Sequence, residues 1–434
     1  MSWASNERTK FLLYPRPPGQ EEAVEPEEIE VSLEAGTIGP GPADDRMYAI
    51  FPHDKLVTYG SEINRAGEQF SPPWYGTIHE PAQPDANGHF THLELGTPQF
   101  EAAHLYGCTR FVLDIWEGYF DQPIHWHFGD IYERMELVIM PRFPNATMGF
   151  GFMEIGGYDI DENGYQPFSL NFDVIGHEVG HSIIYPIIGL PDPERVHHDY
   201  YGFHESAADM VALISSLHFE SALDHLLETT HGNLYALNSL NRIGKLSKNK
   251  QIRIASNELT LWDFTDGWTD EHDLGQPLTA AIFDTLVDIF HDSMKDWGLV
   301  TEEIIEIADA LEDQDEYLSV MQDFFDQIYE AQWGQMRQAL MEARDIIGTI
   351  LATTFAKLTP QLTYKDVADA LVLAELEICN GSYRNILIHN LKKRGIGDVA
   401  VGPRLSEPDH NSHAFSVRTQ LPGGKRRGCR HTRR

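Results

Sequence analysis

Two histidines and a glutamate in the stretch DVIGHEVGHSII, residues 173–184, have the types and spacing of a metal-dependent hydrolytic site. His177 and His181 are four residues apart, and Glu178 follows the first of them. On a helix, positions i and i+4 share a face, so both imidazoles can bind one ion. Glu178 can then act as a general base toward water at that ion. Because HExxH is short and the chain has 21 His, the remaining sequence must support this interpretation.

A third ligand is required, because a catalytic zinc site combines three protein ligands with an open position for water. The stretch GFHESAADMVALI offers Glu205 at the start of an apolar helix, with Asp209 one turn later on the same face. Asp209 is the candidate acceptor for the free ring N–H of a ligating histidine. The plainer alternatives are a first-turn acid that favours the helix dipole for Glu205, and a solvated helix surface for Asp209.

The elements around these residues are predicted by hydrophobic periodicity. PQFEAAHLYGCTRFVLDIWEGYF has apolar residues at helical spacing, and MELVIMPRF and TMGFGFMEIGG have the pattern of strands. NFDVIGHEVGHSIIYP returns to a helix, which Pro186 and Gly189 are predicted to end. Helical patterns fill almost everything from 205 to 397. The sequence therefore predicts an α+β fold.

Composition divides the chain into four stretches. Residues 1–94 are rich in Pro, Gly and acids and have no assigned role. Residues 95–185 form a strand-bearing lobe that ends in the HExxH helix, and residues 186–397 form a helical lobe. The basic tail, 398–434, is predicted to be disordered.

Charge and hydropathy exclude several classes of partner. The net charge of −35 argues against nucleic acids and anionic membranes. No apolar run approaches the length of a membrane-spanning helix, and MSWASNERTKFLLYPRPPGQ is not a secretory signal. Cytoplasmic localisation is the default prediction, with signal-independent export left open. Three scattered cysteines imply no disulfide framework, and the oligomeric state is not predicted.

DVIGHEVGH together with HESAAD resembles the thermolysin-like zinc metallopeptidases, whose pattern is DVxxHExxH followed by ExxSD or a close variant. NATMGFGFMEIG, residues 145–156, is similar to the substrate-binding edge strand of that family. EHDLGQPLTAAIFDTL is similar to the segment that carries its second active-site histidine, here His272. The likeness covers roughly residues 95–397. It implies a thermolysin-like fold that hydrolyses peptide bonds in a peptide or protein substrate.

The resemblance also implies roles for particular residues. Zn²⁺ is expected on His177, His181 and Glu205, with Glu178 as the catalytic base. His272 is expected to stabilise the oxyanion, oriented by Asp270 or Asp266. The expected substrate contacts are Asn145, Ala146, Arg242 and Tyr201. Asp173 matches a position that often binds Ca²⁺ in the family, but the rest of that acidic cluster is not identified, so calcium is left open.

Two alternatives to a metalloendopeptidase are kept. GFMEIGG resembles the GxMEN strand of zinc aminopeptidases, in which Glu154 would bind the amino terminus of the substrate. Ile155 stands where that pattern has asparagine, and the third-ligand segment differs from the aminopeptidase type. A non-catalytic binding or structural protein of the same fold is the second alternative. The sequence predicts endopeptidase action.

Overall fold

The computed structural model describes residues 7–18, 25–60, 70–160, 164–234, 238, 240–247, 250–301, 303–304, 307, 317–405, 418–421 and 424–427. The chain divides into two compact units. The first unit consists of Met1–Pro186, Gly244–Ile252 and Pro408–Arg434, and the second of Ile187–Ile243 and Arg253–Glu407. The predicted boundaries at 94, 185 and 397 follow composition and stay predictions.

The first unit holds most of the β-structure. In chain order its elements are β1 (Arg8–Leu13), β2 (Glu27–Glu34), β3 (Met47–Ile50), α1 (Pro98–Phe120), β4 (Met135–Ile139), β5 (Ala146–Met148), β6 (Phe152–Ile155), β7 (Gly157–Ile160), β8 (Gly164–Pro167) and α2 (Phe172–Ile188), whose last two residues belong to the second unit. β1 pairs with β2 and β7 with β8, both antiparallel. The mixed α+β class predicted from the sequence is confirmed.

A four-stranded sheet with the order β3-β4-β6-β5 is the largest sheet among the described residues. β3, β4 and β6 are parallel, and β5 runs antiparallel to β6 at one edge. Val138 lies opposite Glu154 of β6. Because side chains alternate along a strand, Phe152, two residues before Glu154, shares the face of Val138, and both form a buried cluster with Tyr59 and Met140. The sequence indicated one strand in TMGFGFMEIGG, and the structure has two, joined by the positive-φ Gly151.

α1 is the helix predicted from PQFEAAHLYGCTRFVLDIWEGYF. It begins with Thr97 as its N-cap, whose side chain accepts from the N–H of Phe100, and ends at Asp121 in the left-handed conformation.

His104 lies inside this helix with no exposed surface. Its Nε2 accepts from the N–H of Tyr14 at 2.9 Å, and its Nδ1–H donates to the carbonyl of Ser169 at 2.7 Å. One neutral imidazole therefore joins three segments of the first unit.

We expect the first unit to lose stability in acid because of His104. Burial lowers the pKa of His104 from 6.5 to about 4. Protonation would also remove the acceptor that Tyr14 uses. Because this pKa is lower in the folded state than in the unfolded chain, the neutral imidazole stabilises the fold fully above pH 6.5. This stabilisation, about 3 kcal/mol in all, is lost as the pH falls through about 4. Urea unfolding at several pH values in this range measures the change in the free energy of unfolding. His104→Gln should flatten this pH dependence, and an unchanged slope would contradict the assignment.

The second unit is mainly helical. Its described helices are α3 (Asp199–Ser216), α4 (Glu220–Thr230), α5 (Glu271–Asp296), α6 (Tyr317–Phe355, kinked at Gln332), α7 (Tyr364–Cys379) and α8 (Arg384–Lys393). α7 begins with a capping box between Thr363 and Asp366. α3 packs against α5. Tyr364 ties these helices together, since its hydroxyl donates to Leu274 O and its N–H donates to Asp199.

Three local features differ from the sequence predictions. α2 continues through Pro186 to Ile188 and ends before Gly189, which has a φ of 97°. A proline inside a helix costs one backbone hydrogen bond, and here the helix ends two residues later. α3 begins six residues before Glu205, which is therefore not a first-turn acid. Finally, the predicted helical stretch contains two paired strands, β9 (Arg242–Ser247) and β10 (Lys250–Ile254).

Part of the C-terminal basic tail is described. Strands β11 (Arg418–Leu421) and β12 (Gly424–Arg427) pair antiparallel. The rest of the predicted tail from 406 onward lies outside the described residues. None of the helices in the described part of the chain is long and apolar enough to span a membrane.

Candidate metal centre

α2 presents the two histidines of HExxH as the helical spacing predicts. His177 and His181 have no exposed surface, and their Nε2 atoms lie 3.0 Å apart. Glu178 is equally buried. The helix is apolar nearly all round, which is typical of a helix in a core. The buried residues that make it so are Val174, Ile175, Val179, Ile183 and Ile184. The two imidazoles are thus held together away from solvent by a helix that packing fixes on every side.

α3 carries Glu205 and Asp209 one turn apart, both buried. The carboxylate of Asp209 accepts two hydrogen bonds from Arg253, one from Nε at 2.8 Å and one from Nη2. Burial alone would lower the pKa of Arg253, but the Asp209 carboxylate outweighs it and raises that pKa. Asp209 is therefore part of a buried ion pair within the second unit, and its predicted contact with a ligating histidine stays a prediction.

His272 lies in the first turn of α5, almost wholly buried. Its Nδ1 is 2.8 Å from Asp270 Oδ1, and its Nε2 is 3.2 Å from Glu205 Oε2. Burial would lower the pKa of His272, but the carboxylates of Glu205 and Asp270 raise it to about 9. Asp270 is also the N-cap of α5 and accepts from the His272 N–H at 2.9 Å. Of the two acids proposed to orient His272, Asp270 makes the contact.

His177, His181 and Glu205 form a group in which one ligand atom from each residue lies within 4.8 Å of the others. All three residues are buried. Two imidazole nitrogens and one carboxylate oxygen suit a metal ion, and a buried carboxylate beside two imidazoles fits a bound cation. Among the residues that the structure describes, Asp173 belongs to no such group, and calcium there, which the sequence left open, stays open.

The predicted substrate-binding residues lie on three different elements. Ala146 begins the edge strand β5, and the carbonyl of Asn145 accepts from the N–H of Gly156 at 2.9 Å; both residues are buried. Arg242 begins β9, where burial lowers its pKa. The half-buried ring of Tyr201 on α3 lies 6.2 Å from that of Trp268. Their roles toward a substrate stay predictions.

Arg253 is a buried partner of Asp209 that the sequence does not single out. The resemblance pointed to Arg242, and Arg253 follows eleven residues later in the same stretch. Its separation from Asp209 is 44 residues, so no local pattern connects the two. The alternation in QIRI reads as a strand, but it places Arg253 on the face opposite the two isoleucines, which indicates exposure to solvent.

No protein-family model matches this sequence, and no curated protein matches it. Among solved structures, the chain is similar to the precursor of protealysin, a metalloproteinase from Serratia proteamaculans. The sequence identity is 12% and the TM-score is 0.45, over 84% of this chain and 90% of that chain. This structural neighbour assigns no role to any residue of the present chain.

Proposed function

We propose that this protein is a zinc-dependent metallopeptidase that cleaves peptide bonds in peptide or protein substrates. The observation that carries the proposal is the buried group of His177, His181 and Glu205. These three residues would hold the ion and leave a position for water, as catalytic zinc sites do. The HExxH spacing and the resemblance to thermolysin-like metallopeptidases support the same assignment.

A zinc ion held there would supply Lewis-acid chemistry, which acidifies water and polarises a carbonyl group. Glu178 accepts the proton of the attacking water and later delivers it to the leaving amine. His272 donates a hydrogen bond to the oxyanion that develops on the scissile carbonyl. Asp270 holds the imidazole through Nδ1, and Nε2, which lies 3.2 Å from Glu205 Oε2, carries the proton that is donated.

His272→Ala is expected to lower kcat and kcat/KM together by about 10²-fold, with the metal retained. The reason is that a donor to the oxyanion acts in the transition state and adds little to substrate binding. Steady-state kinetics and metal analysis of the purified variant measure both quantities. His197→Ala, which changes a partly exposed histidine, is the matched control. An unchanged kcat in His272→Ala would remove this residue from the mechanism.

We further propose endopeptidase action, and a contact within the first unit supports it. Glu154, which the aminopeptidase alternative needs as a receptor for the substrate amino terminus, is fully buried and bound to Lys55 at 2.5 Å. A carboxylate that already pairs with an ammonium group inside the fold is not open to a second one. The edge position of β5 also suits an extended peptide, which binds a sheet edge through its main chain.

Matched peptides that differ only in a free or an acetylated amino terminus test both proposals. We expect internal cleavage of both at similar rates, and loss of cleavage when the metal is removed with a chelator. Mass spectrometry of the products identifies the bonds that are cut. Stepwise removal of residues from the free peptide alone would support the aminopeptidase instead. A folded protein that purifies without zinc in chelator-free buffers, and does not cleave when zinc is added, would support the non-catalytic alternative.

A further inference from the structure

Lys55 and Glu154 form an ion pair whose side chains have no exposed surface. Lys55 Nζ lies 2.5 Å from Glu154 Oε1 and donates to the carbonyl of Val57 at 2.6 Å. The two residues are 99 positions apart in the chain, and Glu154 belongs to the central strand β6. The amine nitrogen is thus fixed against one carboxyl group in a region that excludes water.

Three aromatic rings surround the amine. Lys55 Nζ lies 3.7 Å from the ring centroid of Tyr59, 4.9 Å from that of Phe70 and 5.7 Å from that of Trp74. Such rings attract an ammonium group, but they replace few of the hydrogen bonds that water gives it. The surroundings are therefore those in which a lysine and a carboxylic acid are most easily neutralised by transfer of one proton.

Tyr59 connects Glu154 to a second buried carboxylate. Its backbone N–H donates to both oxygens of Glu154, at 3.1 Å and 3.2 Å, and its hydroxyl donates to Glu136 Oε2 at 2.7 Å. Glu136 also accepts from the hydroxyl of Tyr48 and from the N–H of Trp74. Glu136 lies on β4 beside β6, on the face that Glu154 shares. Amine, carboxyl, N–H donor and second carboxylate are thus gathered in one buried place.

We propose that Lys55 and Glu154 react to form an amide bond between Nζ and Cδ, which cross-links the first unit with the loss of one water molecule. The contact of the nitrogen with the carboxyl group supplies the proximity that such a condensation needs. Exclusion of water removes the reactant that would reverse it. The backbone N–H of Tyr59 is placed to stabilise the oxyanion of the tetrahedral intermediate.

The atoms balance without any oxidant or activating reagent. One proton first moves from the Lys55 ammonium to the Glu154 carboxylate. The amine nitrogen then bonds to Cδ, and its surplus proton passes to the hydroxyl group on the same carbon. The C–O bond breaks, and that hydroxyl group departs as water. The pKa directions agree with the first step, because burial lowers the pKa of Lys55 and raises that of Glu154 to about 7.

The intact mass of the purified, folded full-length chain under denaturing conditions tests the proposal. We expect the protein to be lighter than its sequence mass by one water, and proteolytic mapping to recover a branched peptide that joins residues 55 and 154. The exposed pair of Lys357 and Glu377 has a similar separation of 2.7 Å and should stay unlinked, because water surrounds it. The full sequence mass in wild-type protein, after prolonged incubation in the folded state, would overturn the proposal.

Two variants test the chemistry separately from the fold. Lys55→Arg keeps the positive charge but should restore the full sequence mass and the gel mobility of an unbranched chain. Glu154→Gln keeps the size of the reacting side chain and should abolish the loss of water, because its amide carries no acid hydroxyl group to leave. A Glu154→Gln protein that still loses one water would remove Glu154 from the reaction. Because the wild-type mass alone decides the main question, a variant that does not fold leaves the proposal falsifiable.

Discussion

Glu178→Gln is expected to keep its bound zinc while losing nearly all peptide hydrolysis. The substitution preserves the size of a fully buried side chain, so packing around α2 changes little. It removes the carboxylate that accepts the proton of water, and a general base contributes typically 10²–10⁴-fold to the rate. The metal ligands are untouched, since Glu178 is proposed as a base and not as a ligand. Metal analysis of the variant together with steady-state kinetics separates these two roles.

A second buried glutamate provides the control for this variant. Glu375 has no exposed surface, and its Oε1 accepts from the N–H of Tyr383 at 2.9 Å within the second unit. Glu375→Gln is therefore the same chemical change at a position outside the proposed centre, and wild-type turnover is expected. If Glu178→Gln lost zinc with its fold intact, Glu178 would be a ligand and the proposed roles would be wrong. If it hydrolysed peptides at the wild-type rate, the base would be another group.

Local features of the fold follow from the sequence because they depend on neighbours within a few turns. The i, i+4 spacing brings His177 and His181 together, since one helix decides it. The apolar periodicity of α1 predicts its whole length, and the position of Asp270 two residues before His272 makes it both an N-cap and a ring partner. In each case a short stretch of backbone fixes the distance between the side chains.

Contacts between distant parts of the chain could not be predicted in this way. Arg253 meets Asp209 across 44 residues, and Lys55 meets Glu154 across 99. In a single sequence a buried arginine or lysine is indistinguishable from a surface one, because most such residues are exposed. The alternation along β6 left open whether Glu154 faces solvent, and only the residues packed over that face of the sheet show that it is buried.

The contact between Lys55 and Glu154 also separates two interpretations that the sequence left together. GFMEIGG fits both an amine-binding strand and an ordinary inner strand of a sheet. In the structure Glu154 lies on β6, between β4 and β5, and its carboxylate is bound by a lysine of the same unit. The motif is therefore accounted for by packing within the first unit, and the role of the edge strand β5 toward a peptide substrate stays a proposal.

His181→Ala is expected to lose both zinc and activity. The change leaves one imidazole and one carboxylate, and a catalytic zinc site requires three protein ligands. Because removal of a residue that only supports a ligand already costs 10–100-fold in metal affinity, loss of the ligand itself should exceed about 10²-fold. Metal content after dialysis against chelator-free buffer, and zinc titration of the metal-free chain, give the affinity directly.

Ser182→Ala is the matched control for the loss of His181, since Ser182 is the next residue of α2, is equally buried, and donates to the Val179 carbonyl at 2.7 Å. It should retain zinc and activity, because its hydroxyl belongs to the helix backbone and not to the ligand group. Loss of zinc in both variants would mean that α2 tolerates no change in this turn, and zinc titration of His177→Ala would then be compared with that of the wild-type protein.

A folded His181→Ala protein that keeps full zinc and full activity would show that the ion is held elsewhere. In that case the group of His177, His181 and Glu205 would be a buried polar cluster of the fold, and the proposed peptidase centre would be wrong.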